Sequence, residues 1–208
     1  MTSSNLMRWS GLAALVGGGL FVVLGVLEFL LLGNQTYSEA AATGTWIIVQ
    51  GAYLVAAMLI GLGLVGLYVR QAQEAGTLGL IAFVVTFIGG MMAAGSIWSE
   101  AFFGPWLAKA APELLDTDPA GIVVAGVMLS IGLFALGWFL FGLISLRAGV
   151  LPRGAAILLM IGAVLFAVAG VLELPFAPVL FGAAVVWLGY GLWSATANEP
   201  GLMAKAAI

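Results

Sequence analysis

The sequence predicts an all-α polytopic membrane protein of six transmembrane helices, arranged as three parallel helix-hairpin repeats. Composition says so first: 63% of the 208 residues are apolar and 7% are charged, where an ordinary soluble chain carries about 25% charged residues. Runs of about 20 apolar residues recur, the length that crosses a bilayer as a helix. They are continuously apolar, not alternating, which excludes a β-barrel. The repeats come from one stretch that returns. Gly17 to Glu28, GGGLFVVLGVLE, matches Gly162 to Glu173, GAVLFAVAGVLE, at eight of twelve positions. A fainter copy, Gly89 to Glu100, GGMMAAGSIWSE, keeps the first glycine and the final glutamate. Such a fixed period is the mark of a repeat architecture.

The spans follow in order. The first covers about 9–32 and stops at Gly33 and Asn34, a helix-ending pair. Its apolar run is too long for the 7–15-residue core of a signal peptide, so an uncleaved span is expected. A short polar loop with Glu39 as its one charge leads to Thr45, the expected N-cap of a second span over about 46–69. Arg70, Gln71, Gln73 and Glu74 make a polar turn. A third span, about 77–103, ends at Gly104 and Pro105.

The longest polar stretch, GPWLAKAAPELLDTDP, mixes Lys109, Glu113, Asp116 and Asp118 with Trp106, Leu107, Leu114 and Leu115. That mixture predicts a segment lying on the membrane surface. Asp118 and Pro119 are the expected cap and first residue of a fourth span, about 120–146. A basic turn, Arg147 to Arg153, leads to a fifth span at about 154–174, closed by Pro175, and a sixth at about 179–195. The chain is thus one membrane domain over 1–208, with repeat units at about 7–74, 77–149 and 152–197.

Each repeat is an outward span bearing the glutamate and a returning span. Two spans per copy give every copy the same orientation, so the copies are related by a pseudo-threefold axis along the membrane normal. The returning spans agree: Trp138 to Ser145, WFLFGLIS, resembles Trp187 to Ser194, WLGYGLWS, and more weakly Leu62 to Tyr68, LGLVGLY. Arg8, Arg70, Arg147, Arg153 and Lys205 fall on one side and Lys109 on the other. The positive-inside rule then places both termini in the cytoplasm and the acidic loops outside.

Cysteine and histidine are absent. That removes disulfides, thiol chemistry, Cys/His zinc sites, His-ligated haem and His- or Cys-dependent nucleophilic catalysis. No cofactor is implied, and no basic cluster suggests nucleic acid. With no second acid beside any glutamate, the sequence argues against an enzyme.

The candidate site residues are Glu28, Glu100 and Glu173, spaced by 72 and 73 residues, together with Gln50 at a similar depth. Eleven residues before each glutamate, about 20° from it on a helical wheel, stand Gly17, Gly89 and Gly162. Seven before stand Phe21, Ala93 and Phe166. Small residues let helices approach closely in lipid, so this face is expected to pack against another helix. Two accounts follow. The acids are interfacial groups reaching headgroups and water, or they form an outer-leaflet site for a cation or a shared proton.

Leu146 to Arg153 followed by Gly154 to Gly162, LRAGVLPR and GAAILLMIG, resembles a segment of uncharacterised six-helix bacterial membrane proteins of unknown function. The resemblance implies a multi-pass protein of the bacterial plasma (inner) membrane and no particular activity. Two functions remain in view. One is a small transporter or channel with an acidic cation or proton site. The other is a non-catalytic accessory subunit that packs beside a membrane-protein partner or a second copy of itself. Either has the lipid bilayer as its solvent, and the first adds a cation or small-molecule ligand.

Overall fold

The computed structural model describes residues 3–172 and 177–206, with side chains described over 5–169 and 177–195. Every described element is a helix. They are α1 (Ser3–Leu32), α2 (Tyr37–Ala41), α3 (Gly44–Trp98), a π-helical turn (Ser99–Phe103), α4 (Gly104–Ala110), α5 (Pro112–Leu115), α6 (Gly121–Ala148), α7 (Arg153–Leu172) and α8 (Ala177–Ala206). Four stretches are long and apolar enough to cross a membrane: Asn5–Leu32, Gly44–Ala110, Gly121–Ala148 and Ala177–Ala195. A shorter apolar stretch, Arg153–Ala169, lies in α7.

The 55 residues of α3 do not form one rod. Gly76 has φ 55° and ψ −148°, a conformation that a Cβ forbids and glycine allows. The rings of Tyr68 and Phe83 stack with centroids 4.5 Å apart, although 15 helical residues would separate them by about 22 Å. The helix therefore folds back on itself at Gly76 into two antiparallel arms, 44–75 and 77–98. The polar run Arg70 to Glu74, expected as a turn, stays helical, and one glycine makes the reversal. Gln71 in that run is buried at 1% exposure.

The long helices pack in a closed ring. Helix α1 meets the first arm of α3, the second arm meets α6, α6 meets α7, α7 meets α8, and α8 returns to α1. Glycines set the close approaches, as is usual where lipid gives helices no hydrophobic reason to associate. A Cβ at Gly17 would stand 2.9 Å from the Ala56 carbonyl, one at Gly89 2.6 Å from the Leu133 backbone, and one at Gly162 2.9 Å from the Phe181 backbone. Each is thus pressed on the next long helix of the chain. Gly18 and Gly182 meet across the seam between α1 and α8.

Phe21 from α1, Phe134 and Trp138 from α6, Phe166 from α7 and Phe181 from α8 fill the middle of the ring. Their rings interlock, with centroids 5.1 Å apart for Phe134 and Phe166 and 5.2 Å for Trp138 and Phe181. Edge-to-face and tilted contacts of this kind add to the burial itself.

Three local expectations are corrected. The N-cap of α3 is Thr43, not Thr45: its hydroxyl accepts from the Trp46 amide over 3.1 Å. Helix α6 starts at Gly121 with Ala120 as an N-cap that offers no side-chain bond, so Asp118 and Pro119 do not cap it. The loop carrying Glu39 contains the short helix α2, closed by a capping box between Thr36 and Glu39.

Candidate functional site

The candidate polar site lies where the end of α1, the start of α3 and the π turn come together. Trp46, Gln50 and Tyr53 are spaced by four and three residues, so they share one face of α3. All three are buried, at 6%, 6% and 5% exposure. That face turns toward α1, where Glu28 stands one turn from the helix end. The Gln50 side-chain amide donates to Glu28 Oε1 over 3.2 Å. Tyr53 lies one turn deeper, close enough to feel the Glu28 charge, without a hydrogen bond of ordinary geometry. Its ring meets Phe21 edge-on at 5.0 Å. Gly25 leaves the space: a Cβ there would stand 3.3 Å from Pro178 and 3.6 Å from the Tyr53 hydroxyl.

Glu100 is set by the π turn. A π turn widens the helix and displaces the carbonyl ladder, and the Glu100 carbonyl accepts from Trp46 Nε1 over 2.8 Å. The Glu100 carboxylate accepts from the Tyr37 hydroxyl. Tyr37 is aimed by α2, whose ring-on-ring contact with Trp46 is edge-on at 5.2 Å. Helix α2 is itself pinned from the other side, since the Ser38 amide and hydroxyl donate to the Asp116 carboxylate over 3.0 and 2.6 Å. A folded cap therefore covers the polar end of the bundle.

Glu28 and Glu100 are both half-buried, and the Glu100 charge reaches Glu28. The side-chain donor on Glu28 is Gln50 and that on Glu100 is Tyr37, both neutral, and the neutral Tyr53 lies close to Glu28. Partial burial, and then the Glu100 carboxylate, hold the Tyr37 phenol above its usual ionisation range. Tyr37 thus keeps its proton and serves as a donor. Among the described residues no three acidic side chains gather closely enough to hold a metal ion. Glu173 lies outside the described residues.

Of the residues singled out in the sequence, Glu28 and Gln50 are brought into direct contact, and Glu100 lies within electrostatic reach of them. Tyr37, Trp46 and Tyr53 complete the arrangement and were not candidates. The Trp46, Gln50, Tyr53 spacing was the available signal for two of them. Nothing local in the sequence marks Tyr37 as a partner of Glu100, 63 residues away. No protein-family model, curated protein or solved structure matches this chain.

Proposed function

We propose that this chain is a six-span protein of the bacterial plasma membrane whose outer end takes up a proton or a small cation at Glu28 and Glu100, as part of a small transporter. One observation carries the proposal: Glu28 and Glu100 are half-buried, the side chains that donate to them, Gln50 and Tyr37, are neutral, and among the described residues no basic group acts on either. A carboxylate withdrawn from water needs a compensating proton, cation or full set of donors. Gln50 and Tyr37 supply one donor each, which leaves acceptor capacity for a guest. Glu173 is the third member by its place in the repeat.

Several features support the spans and the repeat. The fold-back of α3 divides its apolar length between two crossings, and α7 supplies another. The equivalent contacts of Gly17, Gly89 and Gly162 fit three copies of one hairpin. The ring-filled centre favours a gated carrier over an open pore. The test is proton and alkali-cation flux into liposomes holding the purified protein. Replacing both Glu28 and Glu100 by Gln is expected to abolish flux while leaving helix content intact; flux equal to wild type sinks the proposal.

A second reading, the accessory subunit, is favoured by the exposed aromatic strip of Trp98, Phe102, Phe103 and Trp106, which suits a membrane-protein partner as well as headgroups. It requires a stoichiometric partner on purification in mild detergent. Isolation as a lone chain under all conditions counts against it.

A further inference from the structure

A groove of 310 Å³ opens beside the start of α1, lined by Asn5, Arg8, Trp9, Leu12 and Trp193. The first four follow the i, i+3, i+4, i+7 pattern, which puts them on one face of α1. Trp193 comes from α8, whose backbone is pressed on this part of α1: a Cβ at Gly11 would stand 2.8 Å from the Trp193 amide nitrogen. The groove is open to its surroundings. Asn5 and Arg8 are exposed, and Trp9 is 63% exposed.

Its polarity changes with depth. Asn5 is the first residue of a stretch apolar enough to cross a membrane, and Leu12 lies about 10 Å further along the helix. The groove thus begins with an amide and a guanidinium at the level of headgroups. It passes two indoles, the rings that favour the membrane–water boundary, and ends on a leucine at the level of hydrocarbon. Read in that order, the lining matches a phospholipid from headgroup to tail.

The charge of Arg8 has no counterpart there, since no acidic side chain is among the described residues that line the groove. The same end of the bundle carries further cations. Gly66, one turn before Arg70, packs on Ser10, and Gly191 faces Pro152, the neighbour of Arg153. Arg147 stands in the last turn of α6, just before that turn of chain. Among the described residues Glu74 is the one acid at this end, and the other acids lie toward the capped end. A basic groove between membrane helices in such a field is the form that recognises anionic headgroups.

We propose that this groove holds one anionic phospholipid, with Arg8 on its phosphate, Asn5 on the polar part of its headgroup and the start of a tail along Leu12 between the two tryptophans. A guanidinium suits a phosphate because its fork of donors meets two oxygens at once. The occupant must carry net negative charge, because the groove offers a cation and no anion. It must carry a tail, because the floor and walls are apolar. The site is about 30 Å along α1 from Glu28 and stands independently of the carboxylates.

The test is native mass spectrometry of the detergent-solubilised chain titrated with dioleoylphosphatidylglycerol, and in parallel with dioleoylphosphatidylcholine, which has the same tails and phosphate but no net charge. Saturable retention of one phosphatidylglycerol per chain is expected, at least about five-fold tighter than phosphatidylcholine, the effect of one arginine at an anionic headgroup. Arg8→Gln should bring the two lipids level. Arg147→Gln, at the same end but outside the groove, should leave the preference intact. Trp9→Ala should weaken both lipids alike. Glycerol 3-phosphate in excess should not displace the lipid. Equal retention of the two lipids by wild type would overturn the proposal. So would equal losses in Arg8→Gln and Arg147→Gln, which would show diffuse attraction to a basic surface. Displacement by glycerol 3-phosphate would make the groove a soluble-phosphate site and overturn it as well. The wild-type comparison and the competition decide the matter even if Arg8→Gln does not fold.

Discussion

Trp46 Nε1 donates to the main-chain oxygen of Glu100 across 54 residues of sequence. One bond thus joins the first turn of α3 to the π turn beyond its second arm, and closes the hairpin at the end opposite Gly76. Trp46→Phe keeps the packing on Tyr37 and leaves that carbonyl without its donor. The expected loss is about 1–3 kcal/mol, read as a lower unfolding temperature in detergent. The weakened hairpin should also show faster amide exchange across Ser99 to Phe103.

Gln50 holds Glu28, and the two should be coupled. Gln50→Leu removes the donor and leaves a half-buried carboxylate facing an apolar side chain. Stability should fall by about 1–3 kcal/mol. In the background of Glu28→Leu the same change should cost much less, since no acceptor remains to be stranded. A double-mutant cycle on thermal unfolding measures the difference; equal effects in both backgrounds would refute the pairing.

Two glycines should behave in opposite ways. Gly89→Ala drives a methyl to within 2.6 Å of the Leu133 backbone, and overpacking of this kind costs about 1–3 kcal/mol. Gly19 has nothing within 4 Å of its absent Cβ. Gly19→Ala should be neutral or stabilising by up to about 1 kcal/mol through helix propensity. Unfolding temperatures of the two variants, measured side by side, check the ring packing.

The reversal in α3 should tolerate no side chain. Gly76→Ala is expected to cost about 1–3 kcal/mol of backbone strain. Gly149, which ends α6 at φ 68° and ψ 10°, occupies the left-handed region that asparagine also visits. Gly149→Asn should therefore be mild and Gly76→Asn severe, a contrast read from expression level and thermal unfolding.

Alkali should loosen the cap over the polar end. The unfolded chain releases the Tyr37 proton near pH 10, and the folded chain holds it to higher pH. The resulting stability is whole below about pH 10 and falls as the pH rises beyond it. Tyr37→Phe should flatten that part of the profile. Spectrophotometric titration should also lose one late-ionising group among the four tyrosines.

Much of the scaffold was legible because bilayer chemistry writes it plainly: the apolar lengths, the glycine and phenylalanine positions before Glu28, and the small residues on the packed faces. The cap was less so. Thr36 and Glu39 have the spacing of a capping box, yet the run between Asn34 and Gly44 reads as a loop on composition. Thr43 and Thr45 are equal as capping residues by type, and tertiary position chose the first. The partnership of Tyr37 with Glu100 was hidden because the π turn that aims Glu100 has no sequence signature.

The seam between α1 and α8 bears on how the protein is made. Gly11 and Gly18 on α1 need the backbone of α8 against them, and α8 is the last of these helices to leave the ribosome. Until then α1 can hold the first arm of α3 but presents an unfilled groove to lipid. The ring is therefore an arc through most of synthesis, and its final closure is a single late event. Variants that weaken this seam should leave the other helix contacts intact and yet expose a nascent, protease-sensitive arc to quality control.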